Sequence, residues 1–290
     1  MVNEIDLSTA MQLFDTEVTI RYQNKQYLAN TVTERHGTTG TATNVPVSAQ
    51  IELENGGFAP MDIPITNVDE VNVVITPFNF RIKTVVGGAQ KTLFAYDKIV
   101  TQAKLHALAA GRLVDFEKIN AIFTDPNFSS IAVVPVNVGV NNGLNESKMS
   151  QGLSDLEANG VDVSNYSCSL WSSALLKQSL LQDQQVTNIF FNDVKPLTSN
   201  KIQSYLGTDI RFLGESGVNK IPSTFIGPVQ NWLVPLVHED AVVQTFNRDI
   251  STSITWLPWQ DRWELVTTVT TGASVIQERG IILLTCQNPF

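Results

Sequence analysis

The stretch from residue 92 to residue 123 constrains the fold most, because it reads as one uninterrupted helix. Tyr96, Val100, Ala103, Ala107, Ala110 and Val114 recur at spacings of three and four, which puts them on one face. Lys91 and Thr92 open the run after the Gly87-Gly88 pair, and Pro126 stops it. Such a helix is about 45–50 Å long, beyond the usual length in globular domains. It reads as a structural spine. The small residues on its face invite a sheet to pack closely, and Gly111 offers a place to bend.

The segments before the spine lack the means to stand alone. Residues 1–35 are mixed and polar, with a weak helical tract at 10–14 and a β-prone stretch at 18–22. They read as an arm that orders against something else. Residues 36–90 read as a long β-hairpin, with alternating runs at 45–53 and 70–83 and a turn signal at Asn55-Gly56-Gly57. Pro77 makes the second run an edge or kinked strand. A two-stranded hairpin is marginal by itself, so it is expected to pack on a neighbour.

After the spine, residues 131–254 alternate α and β. A strand at 131–138 leads to a helix at 147–158 closed by Asn159-Gly160. A strand at 167–171 runs into a helix at 173–181, and a helix at 198–206 passes through Gly207 into a strand at 208–214. An apolar strand at 232–237 then precedes a short amphipathic helix, with Glu239 and Asp240 at its start as charge compensation. Residues 262–286 give two β runs joined through Gly272-Ala273. The whole is α+β, a compact α/β unit inserted between the spine and the final strands.

Charged residues are 16% of the chain and hydrophobic ones 43%. A surface so poor in charge suits extensive subunit contacts, whose cores are depleted in charged residues. The formal net charge of −9 argues against tight binding to a phosphate backbone. Cys168 and Cys286 lie far apart within apolar β runs, as buried reduced thiols would. There is no basic n-region followed by an apolar h-region at the start, and no apolar stretch of membrane-spanning length. The expectation is a chain that is neither secreted nor membrane-bound.

The chemistry-bearing residues do not converge. His36, His106 and His238 lie on three different elements, and His238-Glu239 has no second histidine at helical spacing. The two cysteines lack the short paired spacing of a tetrahedral site. The glycines around 214–220 and 139–143 lack the Gly-Lys-Ser/Thr ending of a phosphate loop, and no Gly-x-Ser-x-Gly elbow exists. Asp115, Glu117, Asp155 and Glu157 read as solvated helix faces. No catalytic, cofactor or metal site is expected. Trp256, Trp259 and Trp263 cluster and read as a core or interface anchor.

The order of parts resembles the major capsid proteins of tailed bacteriophages, which share the Hong Kong 97 fold. The stretches that carry the resemblance are residues 197–215, 232–246 and 272–284, with the long helix before them. The resemblance implies an N-terminal arm over 1–35, an extended loop over 36–90, a peripheral domain over 91–130 and 255–290, and an axial domain over 131–254. It implies a shell subunit of the virion capsid that forms hexamers and pentamers with copies of itself and encloses the genome without sequence-specific DNA binding. Asn55, Gly56, Gly57 and Phe58 would be the loop tip lapping a neighbour, and Trp256, Trp259 and Trp263 further interface candidates. Portal and decoration proteins are implied partners. A separate scaffolding protein is expected as well, since no long N-terminal scaffolding region is present. Two other readings stay open: an encapsulin-like compartment of the same fold, and an α/β enzyme using the 131–236 unit.

Overall fold

The computed structural model describes residues 26–48, 70–87, 91–139, 141–163, 167–183, 204–214, 220–226 and 229–287. Before the spine come strands β1 (Thr33–His36), β2 (Thr43–Ser48), β3 (Glu70–Ile75) and β4 (Phe78–Gly87). The spine is α1 (Lys91–Phe123). Then follow β5 (Ala132–Val134), α2 (Glu146–Ala158), β6 (Cys168–Ser173), α3 (Lys177–Gln182), β7 (Ser204–Tyr205), β8 (Thr208–Leu213) and β9 (Ser223–Ile226). The chain closes with β10 (Val229–His238), β11 (Val242–Leu257), β12 (Arg262–Val275) and β13 (Ile281–Gln287).

The spine forms as its spacing predicts, and Ala103, Ala107, Ala110 and Val114 are fully buried. They face a four-stranded sheet in the order β1-β11-β12-β4. Small side chains let helix and sheet approach closely, and Ala103 meets Val86, Ile254 and Leu265 in one apolar cluster. His106 lies in the same interface, its Nε2 3.0 Å from Thr84 Oγ1 and its Nδ1 2.8 Å from Thr267 Oγ1. The larger core belongs to a mixed seven-stranded sheet, ordered β5-β13-β10-β6-β8-β7 with β9 beside β10. Leu170, Trp171, Trp232, Leu236 and Leu284 fill it together with Leu156 of α2 and Ile122 of the spine.

Several expectations are corrected. Residues 241–246 are not a helix: Ala241 ends a turn and Val242–Phe246 begin β11, all six buried. Val242 and Val243 are β-branched residues pinned between β12 and β1, and burial on both faces erases strand alternation. The last β runs are not joined at Gly272-Ala273. β12 runs through both residues, and the join is at 276–280, in a 3-10 turn at Glu278–Gly280. Gly272 serves another purpose there: a Cβ on it would lie 3.0 Å from Pro77 Cα and Thr76 O, where the β3–β4 link crosses the strand.

The run at 70–83 divides at that link. β3 pairs with β2 as a hairpin, while β4 pairs with β12 as the edge of the four-stranded sheet, as Pro77 suggested. The base of the hairpin rests on its own subunit, where Val45 and Ile75 pack against Val243. The strand expected at 131–138 is only Ala132–Val134, and the helix expected at 173–181 begins as a 3-10 turn at Ala174–Leu176 before α3. The helix expected at 198–206 lies outside the described residues up to 203, and Ser204–Tyr205 is strand β7. The boundary drawn at 254/255 falls inside β11, which is one continuous strand.

Among the described residues the chain passes between the two sheets three times, once through the spine from β4 to β5 and twice more side by side. Of that pair, one crossing is the turn at 239–241 between β10 and β11, the other the link at 276–280 between β12 and β13. The N–H groups of Ile276 and Gln277 both donate to Ala241 O, at 2.8 and 3.2 Å, and bind the crossings side by side.

Candidate functional site

The spine carries a clamp that holds the segment before β1. The Asp115 carboxylate accepts from the backbone N–H of Tyr27 at 3.0 Å and of Leu28 at 3.1 Å. Three residues on, Lys118 Nζ donates to Leu28 O at 2.8 Å and to Glu34 Oε1 at 2.7 Å. Leu28 and Val32 thereby enter the main core. Further along, Thr33 N–H donates to Glu239 O, and β1 runs parallel to β11. His36 then stacks on Phe246, with ring centroids 4.7 Å apart. Residues 26–36 are therefore a strap on their own subunit, whereas the sequence places 26–35 in an arm that orders against something else and His36 at the start of the extended loop.

Asp115, Glu117 and Lys118 are buried, so the solvated face expected for the first two is corrected. Burial lowers the proton affinity of Lys118, and the charge of Glu34 opposes that shift. Burial likewise raises the pKa of Glu117. The sequence did hold a signal: the buried face at 103, 107, 110 and 114 continues at 117 and 118. Charged residues on that row call for buried partners.

Of the tryptophans, Trp256 and Trp263 are brought together and Trp259 is not. Trp256 and Trp263 face each other across β11 and β12 with ring centroids 4.9 Å apart, and Trp263 packs against the Ala103 cluster. Trp259 stands on the 3-10 turn Pro258–Gln260 and is 79% exposed. Phe78, at the start of edge strand β4, is 60% exposed, and Val74 of β3 is 58% exposed. The loop-tip candidates Asn55, Gly56, Gly57 and Phe58 lie outside the described residues.

Reactive side chains are put to structural use. Cys168 and Cys286 are free and buried, and burial pushes the Cys286 thiol up to about 12. Lys148 Nζ donates to the carbonyls of Asn142 and Gly143, both at 2.8 Å, and fixes the loop ahead of α2. Among the described residues no three His, Cys, Asp or Glu side chains gather as metal ligands. No helix among them is long and apolar enough to cross a membrane. What the geometry offers is two sheets, a strap tethered to the spine, and exposed apolar side chains at Trp259, Phe78 and Val74.

The family model described as phage capsid protein matches residues 7–288. This chain belongs to the phage capsid protein family. The capsid protein has the fold of solved phage capsids at low sequence identity. It matches the head structure of Helicobacter pylori bacteriophage KHP40 with a TM-score of 0.68 at 11% identity, over 91% of each chain. It matches the capsid of cyanophage P-SCSP1u with a TM-score of 0.66 at 11% identity, over 89% of this chain and 87% of that one. A virus-like particle from Pyrococcus furiosus matches with a TM-score of 0.60 at 11% identity, over 94% and 98% of the two chains. No curated protein matches the sequence. The capsid protein is a structural subunit of the virion shell, as the resemblance implied, and self-association is its work.

Proposed function

We propose that the capsid protein acts without catalysis, closing into hexamers and pentamers that tile an icosahedral shell around the phage genome. The observation that carries this reading is the family match over residues 7–288, which contains every described element. Within it, the hairpin beyond β2 and β3, with Asn55, Gly56, Gly57 and Phe58 at its tip, laps a neighbouring subunit. Trp259 supplies an exposed anchor, while Trp256 and Trp263 stiffen the sheet behind it. The net charge of −9 keeps the wall from adhering to the enclosed DNA. Scaffolding, portal and decoration proteins are the further partners.

Size-exclusion chromatography and negative-stain imaging of the purified protein test this. Capsomers or megadalton shells are expected. A monomer that stays monomeric at high concentration and turns over a small molecule would refute it. Shells that load a dedicated cargo protein and exclude nucleic acid would favour the encapsulin-like reading.

A further inference from the structure

The row of the spine that takes the strap is covered for only part of its length. Thr101, Lys104, Leu105, Leu108 and Arg112 recur at helical spacing, and the row continues at Asp115 and Ile119. At that far end Asp115 holds Tyr27 and Leu28, and Ile119 shares the main core with Leu28 and Val32. Before Asp115 the cover stops. Thr101, Lys104 and Arg112 are exposed, and Leu105 is 52% exposed. Among the described residues neither Lys104 nor Arg112 enters an ion pair. The open row is basic, with two leucines between its charges.

The strap points its upstream end at this row. Lys118 binds Leu28 O and Glu34, whereas Asp115, nearer the start of the spine, binds the N–H groups of Tyr27 and Leu28. Moving back along the strap thus moves back along the spine, toward Arg112, which lies about one turn before Asp115. The 25 residues ahead of Gln26 lie outside the described residues, and their sequence complements what they meet there. Residues 1–17 contain Glu4, Asp6, Asp15 and Glu17 and neither lysine nor arginine. Leu7, Ala10, Met11 and Phe14 recur at spacings of three and four, so a helix there has one apolar row. Glu4 and Asp15 flank that row on one side, Asp6 and Glu17 on the other. A helix over 4–17 is about 21 Å long, and the row from Thr101 to Arg112 about 17 Å. Residues 18–25 between helix and strap span up to about 26 Å when extended, enough to reach either end of the row.

We propose that residues 4–17 form an amphipathic helix seated on the Thr101–Arg112 row of the same subunit's spine. Its acids lie beside Lys104 and Arg112, and its apolar row packs on Leu105 and Leu108. Strap and helix then cover one continuous face. The inference concerns the single subunit and does not rest on the shell reading.

Two measurements on the full chain, as dissociated subunits, test it. Amide exchange over residues 7–14 is protected in the wild type. In the Lys104→Glu, Arg112→Glu double variant it speeds about tenfold, because attraction at two exposed pairs becomes repulsion. Both substituted positions are exposed, so exchange in β10 and β13 stays unchanged and serves as the folding control. Met11→Cys combined with Leu105→Cys is linked by a short bis-maleimide within one chain, and Cys168 and Cys286 are buried and supply no background. Wild-type residues 7–14 that exchange as fast as the free peptide overturn the proposal, as does a double variant that exchanges like the wild type. A link found only between chains in assembled particles gives the row to a neighbouring copy. Protection of Lys104 and Arg112 from acetylation that appears only in DNA-filled particles gives it to DNA. Either of these results also overturns the proposal.

Discussion

Replacing Lys118 by methionine isolates the clamp that holds the strap to the spine. Methionine fills nearly the same channel, so the cavity term is small. Leu28 O keeps a donor in Thr31 Oγ1 at 2.8 Å and is not orphaned. The cost then falls on Glu34, whose carboxylate loses its 2.7 Å partner while its side chain is only 21% exposed. Removing one partner of a fully buried pair costs about 3–5 kcal/mol. Partial access of water to Glu34 lowers the expected loss to about 2–3 kcal/mol. For dissociated subunits near neutral pH this is a fall in Tm of about 5 °C. Lys118→Met combined with Glu34→Gln loses less than the sum of the two single changes, by about 1–2 kcal/mol. Urea unfolding of the four proteins gives the coupling, and limited proteolysis within residues 26–36 reports whether the strap lifts first. A Lys118→Met subunit as stable and as protected as wild type would refute the clamp as the strap's anchor.

Gly272→Ala places a methyl 3.0 Å from the backbone of Thr76 and Pro77, and neither can rotate away. The base of the hairpin must shift, at a cost of about 1–3 kcal/mol, and new protease cleavage near 76–77 with a lower Tm checks it. His106 is held neutral by burial, which lowers its pKa below the ordinary 6.5. The stability it contributes is present above that value and is lost as pH falls through the lowered folded value. His106→Gln, which can still bond both threonine hydroxyls, should flatten that part of a Tm-against-pH curve. Trp259→Ser changes the stability of the dissociated subunit by no more than about 0.5 kcal/mol but slows assembly, read by light scattering. Trp263→Ala, which opens the Ala103 cluster, costs about 3 kcal/mol in urea unfolding.

The sequence was most legible where one period and one face decide the structure. The spine followed from Ala103, Ala107, Ala110 and Val114, and α2 from a run closed at Asn159. Legibility failed where distant segments meet. β1 pairs in parallel with β11 across some 210 positions, and nothing local in Thr33–His36 announces that partner. The valines at 242–243 misled because a strand covered on both faces loses its alternation. Gly272 was read as a turn, the common use of glycine, when its role is a close approach by the β3–β4 link. Asp115 looked like a surface charge because the segment that covers it is polar itself. At the candidate interface only the chemistry of the tryptophans was readable, not that two pair inward and one stands apart.

The twin crossings between the sheets bear on mechanics. Contents pressing outward stretch a shell wall in its own plane, so each subunit is pulled from two sides. Two crossings side by side, latched to Ala241 O, share that tension instead of leaving it to a single hinge. From them the load enters β10 and β13 on one side and β11 and β12 on the other, each an antiparallel pair. Pulled along their length, such pairs resist in shear, with a row of hydrogen bonds loaded together rather than one after another. Rupture under pressure is therefore expected between subunits before it occurs within one.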